Sequence, residues 1–260
     1  MFRRVVIIQA RMASRRLPGK VLQHVGGRSL LDWQLTRLRR CRAVDDIWIA
    51  TSDHPSDQPI EDWARSAEIP CYRGAVDDVL GRYAAAARLA RADVVVRITA
   101  DCPLIDPEVT DRVLVELTVH ARDCDYASNV LERTYPRGLD VEAFFIDTLL
   151  RMERLSRTAA AREHVTLAAR SERPELFLRR SVRDDVDNSD LRWTVDVVAD
   201  LELIRTLHAE FDLGSAALGY RALVRHVRAN PELMLMNAAV ETWDPAAREL
   251  LVAKNAGGRR

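Results

Sequence analysis

Four cations stand in one short stretch near the start of the chain: Arg11, Arg15, Arg16 and Lys20 in RMASRRLPGK. Guanidinium and ammonium groups at that density, with Gly19 among them, can meet a polyphosphate with side chains and backbone amides together. Two carboxylates could complete such a site. Asp101 closes the apolar stretch VVVRITAD, and Asp196 follows RWTV. Mg²⁺ takes one or two carboxylates plus phosphate oxygens and water. Two aspartates from two strand ends, converging on one crevice, therefore have the chemistry of a metal pair beside a phosphate. Each of these residues also has a plainer reading. A run of charge can be a solvated loop, and a strand-end aspartate can be a cap or a turn former. Asp106 and Asp200 read as such caps.

The loop is not a P-loop. GxxxxGK[ST] needs Gly at position 14 and Ser or Thr at 21, where Ser14 and Val21 stand, and Gly26-Gly27 does not make a GxGxxG turn. What favours a binding role is placement. VVII, residues 5–8, reads as a strand buried on both faces, over residues 5–10 in all. In open parallel sheets, ligands bind in the crevice beyond the carboxyl ends of the strands, and the basic loop begins there.

The elements needed to build that crevice follow in order. Ser29-x-x-Asp32 predicts a capping box opening a helix to about Cys41, with Leu30, Leu31, Gln34 and Leu38 on one face. Strands are expected over 47–51, 70–73 and 94–99. Helices are expected over 58–67, after an Asp77 cap, and from Pro107 to about His120. Strands alternating with helices of this length mean βαβ units and a parallel sheet. The middle is different: strands over 125–128 and 139–145, helices over 147–155 and 158–169, and extended chain over 177–182. A short strand over 192–195 and helices over 199–211 and 215–236 complete the pattern. The expected architecture is one α/β domain over 1–236, an open and mainly parallel sheet with helices on both faces. It carries a small α+β excursion at about 130–190, and 237–260 is a tail, disordered over 254–260.

Composition bounds the partners. Lys plus Arg and Asp plus Glu are 39 each, so the net charge is zero. Non-specific nucleic-acid binding shows as a basic excess, and none is present. No apolar run approaches the roughly 20 residues of a membrane span. The N-terminus enters a strand at once, and no signal peptide is expected. Cys41, Cys71, Cys102 and Cys124 form no CxxC pair and read as reduced, mostly buried thiols of a cytoplasmic protein.

Residues 7–22, IIQARMASRRLPGKVL, resemble the signature loop of the cytidylyltransferases that make CMP-activated sugars. They are related to the sialic-acid and Kdo activating enzymes, and closer to the spore coat polysaccharide branch. RSLLDWQLTRLRR, IATSD, YRGAVDDVLGRY, RITADCPLIDPEV, YPRGLDVEAF, REHVT and RWTVDVVADLELI extend the likeness in the same order, over about residues 3–212. The resemblance implies a nucleotide-diphospho-sugar transferase fold, similar to GT-A and Rossmann sheets. It implies transfer of CMP from CTP to an acceptor, with Mg²⁺ as cofactor and pyrophosphate as product. Arg11 and Lys20 would hold the triphosphate, with Arg15 or Arg16 assisting and Ala10 and Met12 offering backbone contacts. Asp101 and Asp196 would hold the metal, and Arg11, Lys20 and Asp101 form the catalytic set. Thr51, Ser52, Arg73 and Gly74 would line the nucleobase side.

Asp78 and Arg82 are nucleotide-pocket candidates or, equally, a helical surface pair. Arg137, Asp140, Glu142, Arg162 and His164 are acceptor candidates, Asp140 and Glu142 on one face of an expected strand. A lone helical histidine is more often structural. The excursion in such enzymes commonly forms a dimer contact, so a homodimer is expected. A transferase for another nucleotide, a glycosyltransferase of similar fold, and a non-catalytic nucleotide or sugar sensor are the competing readings. The acceptor itself is not legible.

Overall fold

The structure is a computed structural model that describes residues 2–240; the tail expected over 254–260 lies outside the described residues. The chain runs β1 (Arg4–Gln9), β2 (His24–Val25), β3 (Arg28–Ser29), α1 (Leu30–Leu38), β4 (Asp46–Ser52), α2 (Gln58–Ser66) and β5 (Cys71–Gly74). It continues with α3 (Val79–Leu89), β6 (Val94–Thr99), α4 (Pro107–Val119), β7 (Tyr126–Ser128), β8 (Glu142–Phe145), α5 (Ile146–Leu155) and α6 (Ala159–His164). It closes with β9 (Arg179–Ser181), α7 (Val198–Glu210), α8 (Tyr220–Ala229) and α9 (Pro231–Leu235).

A seven-stranded sheet has the order β5-β4-β1-β6-β8-β7-β9. β5, β4, β1 and β6 are parallel, whereas β8 runs antiparallel to both β6 and β7. Val5 to Ile8 are fully buried in the centre. Val6 and Ile8 face Leu31, Leu35, Ile60 and Leu114 on one side, and Val5 and Ile7 face Leu80, Tyr83 and Met152 on the other. Helices on both faces leave no solvated side to β1, which is why its sequence is continuously apolar rather than alternating. The excursion expected at 130–190 is partly woven into this sheet: β8 and β9 lie inside that range and extend the sheet beyond β6.

The expected capping box is present, Asp32 N reaching Ser29 Oγ at 3.1 Å and Ser29 N reaching Asp32 Oδ2 at 2.8 Å. Other boundaries moved. Asp78, not Asp77, caps α3, accepting from Gly81 N at 2.8 Å. Residues 192–195 form no strand and pair only through one bridge between Arg137 and Arg192. The strand expected from 139 begins at Glu142. The helix expected over 158–169 stops at His164, because Val165 takes φ 59 and ψ −58 in a tight turn closed by Thr166 N on the His164 carbonyl at 2.5 Å. The helix expected over 215–236 starts at Tyr220 and breaks before Pro231, which has no N–H to continue it. The four cysteines are free thiols, Cys102 and Cys124 buried and Cys41 and Cys71 half-buried.

Candidate active site

The basic loop leaves β1 where Ala10 N still bonds Ala50 O at 3.1 Å. It then folds on itself: Ser14 N and Gly19 N both donate to Met12 O at 2.9 Å. Gly19 takes φ 67, the left-handed region open to glycine. That turn sends Lys20 back over the sheet edge. Asp57 pins the loop to β4 by accepting from Met12 N at 2.7 Å and from the Ser52 hydroxyl. The N–H groups of Ala10 and Met12 are thus taken within the protein, so neither is available as a donor to a nucleotide in this arrangement.

Lys20 brings the two aspartates together. Its Nζ lies 2.8 Å from Asp101 Oδ2 and 2.7 Å from Asp196 Oδ1, with the lysine side chain 11% exposed. Thr99 donates its hydroxyl to Asp101 Oδ1 at 2.6 Å. Burial works to raise the Asp101 pKa, but the Lys20 charge and hydrogen bonds from Lys20, Thr99 and Cys102 outweigh it and hold it at about 2. Burial likewise works to lower the Lys20 pKa, and the two carboxylates reverse that and raise it. Lys20 and Asp101 are both charged at neutral pH. Arg16 reaches Asp196 Oδ2 at 3.1 Å from a half-exposed position. Arg11 is more exposed and lies 3.6 Å from Glu163 on α6. Arg15 is exposed on the loop.

Asp196 sits on a segment clamped from behind. Val195 N donates to Asp101 O at 2.8 Å, and Trp193 N to Arg137 O at 2.6 Å. Arg192 holds Asp196 Oδ2 at 2.8 Å and both oxygens of the buried Asp200 at 2.9 and 3.0 Å. Asp200 also caps α7, as expected, through the N–H of Val197 at 3.1 Å. Asp106 caps α4 from the N-cap position, its Oδ1 accepting from Glu108 N at 3.0 Å and Val109 N at 3.1 Å. Gly138 lies against this segment at φ 102, and a Cβ there would sit 2.5 Å from Thr194 N and 2.6 Å from the Trp193 carbonyl carbon. Gly138→Ala is therefore expected to destabilise the fold by at least about 1–3 kcal/mol. Urea denaturation checks this; a loss below about 0.5 kcal/mol would show that the Asp196 segment shifts freely.

A cavity of about 170 Å³ opens beside the aspartates, with Arg137, Asp140, Arg192 and Thr194 in its walls. Arg137 and Asp140, two of the acceptor candidates, thus stand at this cavity, Asp140 bonded to Arg133 through both oxygens. Glu142 does not. It is 2% exposed and bound by Arg97, by the Tyr126 hydroxyl at 2.5 Å and by the Thr166 hydroxyl at 2.7 Å. Asp140 lies outside β8, so the shared strand face does not exist. Asp78 and Arg82 are not a surface pair. Asp78 pairs with Arg162, and the buried Arg82 donates to the carbonyls of Ala75 and Val76. Arg162 is thereby tied to the α3 cap rather than to the cavity.

Arg73 is held at the rim of β5 by Ser52 O at 3.1 Å and Glu61 at 2.8 Å. Thr51 is wholly buried, and Gly74 O accepts from Asp53 N at 2.8 Å. His164 is half-buried on α6; burial and the charges of Arg97, Arg170 and Arg11 lower its pKa, against the pull of Glu163. Phe177 and Trp193 are core residues.

Sequence reasoning missed Asp57, Thr99, Arg97 and the positioning role of Arg192. One signal was available for Arg97. A single arginine inside VVVRIT must find a buried partner.

The Cytidylyltransferase family matches residues 5–204. An uncharacterized protein of Methanocaldococcus jannaschii is 32% identical over 236 residues, covering 90% of this chain and 94% of its own. The spore coat polysaccharide biosynthesis protein SpsF of Bacillus subtilis is 31% identical over 209 residues, 78% of this chain and 85% of its own. A cytidylyltransferase structure from Leptospira borgpetersenii superposes with a TM-score of 0.86 at 27% identity, covering 94% of this chain and all of the other. With the cationic loop and the paired aspartates at the carboxyl edge of the sheet, the chain belongs to the cytidylyltransferase family and is a CTP-dependent nucleotidyltransferase.

Proposed function

We propose that the protein transfers the CMP moiety of CTP to a small acidic or sugar-like acceptor, with Mg²⁺ as cofactor. The acceptor oxygen bonds to the α-phosphorus, the bond from that phosphorus to the bridging oxygen breaks, and pyrophosphate leaves. The observation that carries this reading is Lys20 held between Asp101 and Asp196, with Arg16 on the same carboxylate and Arg11 on the loop above. Phosphoryl chemistry of this kind needs positioning and neutralisation of charge more than covalent help. Arg11, Arg16 and Lys20 would neutralise the triphosphate.

The residues present fit Mg²⁺. Two carboxylates within reach of one nitrogen, beside a phosphate-binding loop, are the donor set a hard cation shares with substrate oxygens. Asp101 and Asp196 would hold it, and when bound it supplies charge neutralisation on the phosphates. Among the described residues no group of three or more His, Cys, Asp or Glu side chains gathers, so the remaining ligands would come from substrate and water. The cavity walled by Arg137 and Asp140 would take the acceptor, its cation meeting a carboxylate or phosphate. The resemblance also carries the expectation of a cytoplasmic homodimer. No helix among the described residues is long and apolar enough to cross a membrane.

Thermal stabilisation by CTP, UTP, GTP and ATP, each with and without Mg²⁺, tests the reading on wild type and Asp101→Asn. Ligand at about 100 times its dissociation constant adds roughly 2.7 kcal/mol. The expected result is a shift for CTP above the others, enlarged by Mg²⁺ in wild type only. A shift for another nucleotide instead would move the protein to a sister transferase, and no shift at all would sink the reading.

A further inference from the structure

We propose that Lys20 is an internal counter-cation that keeps divalent metal out of the Asp101–Asp196 pair until a triphosphate draws its ammonium away. This rests on the reading of that pair as the metal ligands. The inward oxygens are already occupied. Lys20 Nζ takes Asp101 Oδ2 at 2.8 Å and Asp196 Oδ1 at 2.7 Å. The other Asp101 oxygen holds the Thr99 hydroxyl at 2.6 Å, and the other Asp196 oxygen holds Arg192 at 2.8 Å and Arg16 at 3.1 Å. A Mg²⁺ ion would need the same two inward oxygens, at about 2.0–2.1 Å. An ammonium and a dication cannot share them, because like charges at that separation repel strongly away from bulk water.

The three cations on this pair differ in how they can leave. Arg192 is fixed by Asp200 and is itself buried. Arg16 is 44% exposed and free of any such second anchor among the described residues. Lys20 sits at the end of the basic loop, where Gly19 turns the chain. Its flexible four-carbon stem can swing the ammonium toward phosphates on that loop without moving the backbone. The swing frees one oxygen on each aspartate while Arg192 keeps Asp196 in place. Nucleotide and metal then bind with positive coupling, each raising the affinity of the other by the same factor. Without nucleotide, the lysine neutralises two carboxylates that would otherwise repel each other.

Calorimetric titration of Mn²⁺ into the nucleotide-free protein tests this directly, on wild type, Lys20→Met and the double variant Lys20→Met/Asp101→Asn. The expected result is that Lys20→Met binds Mn²⁺ at least about tenfold more tightly than wild type, and that the double variant loses the gain. A difference below about tenfold, or a gain that survives Asp101→Asn, overturns the proposal. If Lys20→Met does not give a cooperative melt, Lys20→Gln replaces it under the same criteria. CTP is titrated separately, without metal, into the same proteins. Absence of CTP binding alongside an intact Mn²⁺ difference would count against the cytidylyl-transfer reading and not against the counter-cation.

Discussion

Glu142→Ala is expected to cost about 3–5 kcal/mol of folding stability, the usual result of stranding one half of a buried ion pair. Arg97 would be left on the sheet, its side chain 13% exposed, with only Gln9 Oε1 at 3.2 Å in place of its carboxylate partner. The hydroxyls of Tyr126 and Thr166 would lose their acceptor as well. In a domain of this size the loss corresponds to a fall in Tm of roughly 6–20 °C. A fall below about 2 °C would mean that water enters and solvates Arg97, and the network would then not be a structural element.

The same group makes a pH prediction. Burial alone would raise the Glu142 pKa, but the charges of Arg97 and Arg170 and the hydrogen bonds from Tyr126 and Thr166 hold it at about 2, against an ordinary value of 4.5. The unfolded chain therefore takes up this proton first on acidification. The stability that Glu142 contributes is complete above pH 4.5 and declines as the pH falls toward 2. Glu142→Gln removes that titration while keeping the shape. Its urea midpoint should therefore fall less steeply than that of wild type between those two values. Parallel curves would assign the acid lability to other carboxylates.

Asp101→Asn is expected to lower kcat/KM for CTP-dependent transfer by about 10²–10³-fold, the scale on which one preorganised electrostatic group acts at a reacting phosphate or carbonyl. The amide keeps the size and can still accept from Thr99, so the fold should remain. It removes the charge that holds Lys20 and that would hold the metal. Pyrophosphate release gives the rate, once a screen of sugar acids, sugars, phosphates and phosphonates identifies an acceptor. CTP affinity measured without metal should fall by no more than about threefold from wild type, since every loop cation is retained. Loss of metal-free CTP binding together with turnover would make Asp101 a scaffold for the loop instead.

The sheet was legible because its signals are local. VVII and VVVRI announce strands covered on both faces, and the Ser29–Asp32 capping box and Pro107 mark helix starts. Boundaries in the second half were less legible. The turn at Val165 puts a β-branched residue at positive φ, which no propensity favours and only the surrounding contacts can impose. The site divided along the same line. The basic loop with Arg11 and Lys20 follows β1 and Asp101 follows β6, where open sheets place their ligands, whereas the strand expected before Asp196 is absent.

Sequence alone thus determined the parallel half of the sheet, the basic loop at its edge and the family. Tertiary structure alone decided which charges meet. Lys20 bridges aspartates 81 and 176 residues away, Arg162 closes on Asp78, and Glu142 turns inward to Arg97 instead of outward to an acceptor. A charge in a sequence has no fixed partner, because pairing follows from proximity in the fold and from the penalty on leaving a buried charge alone.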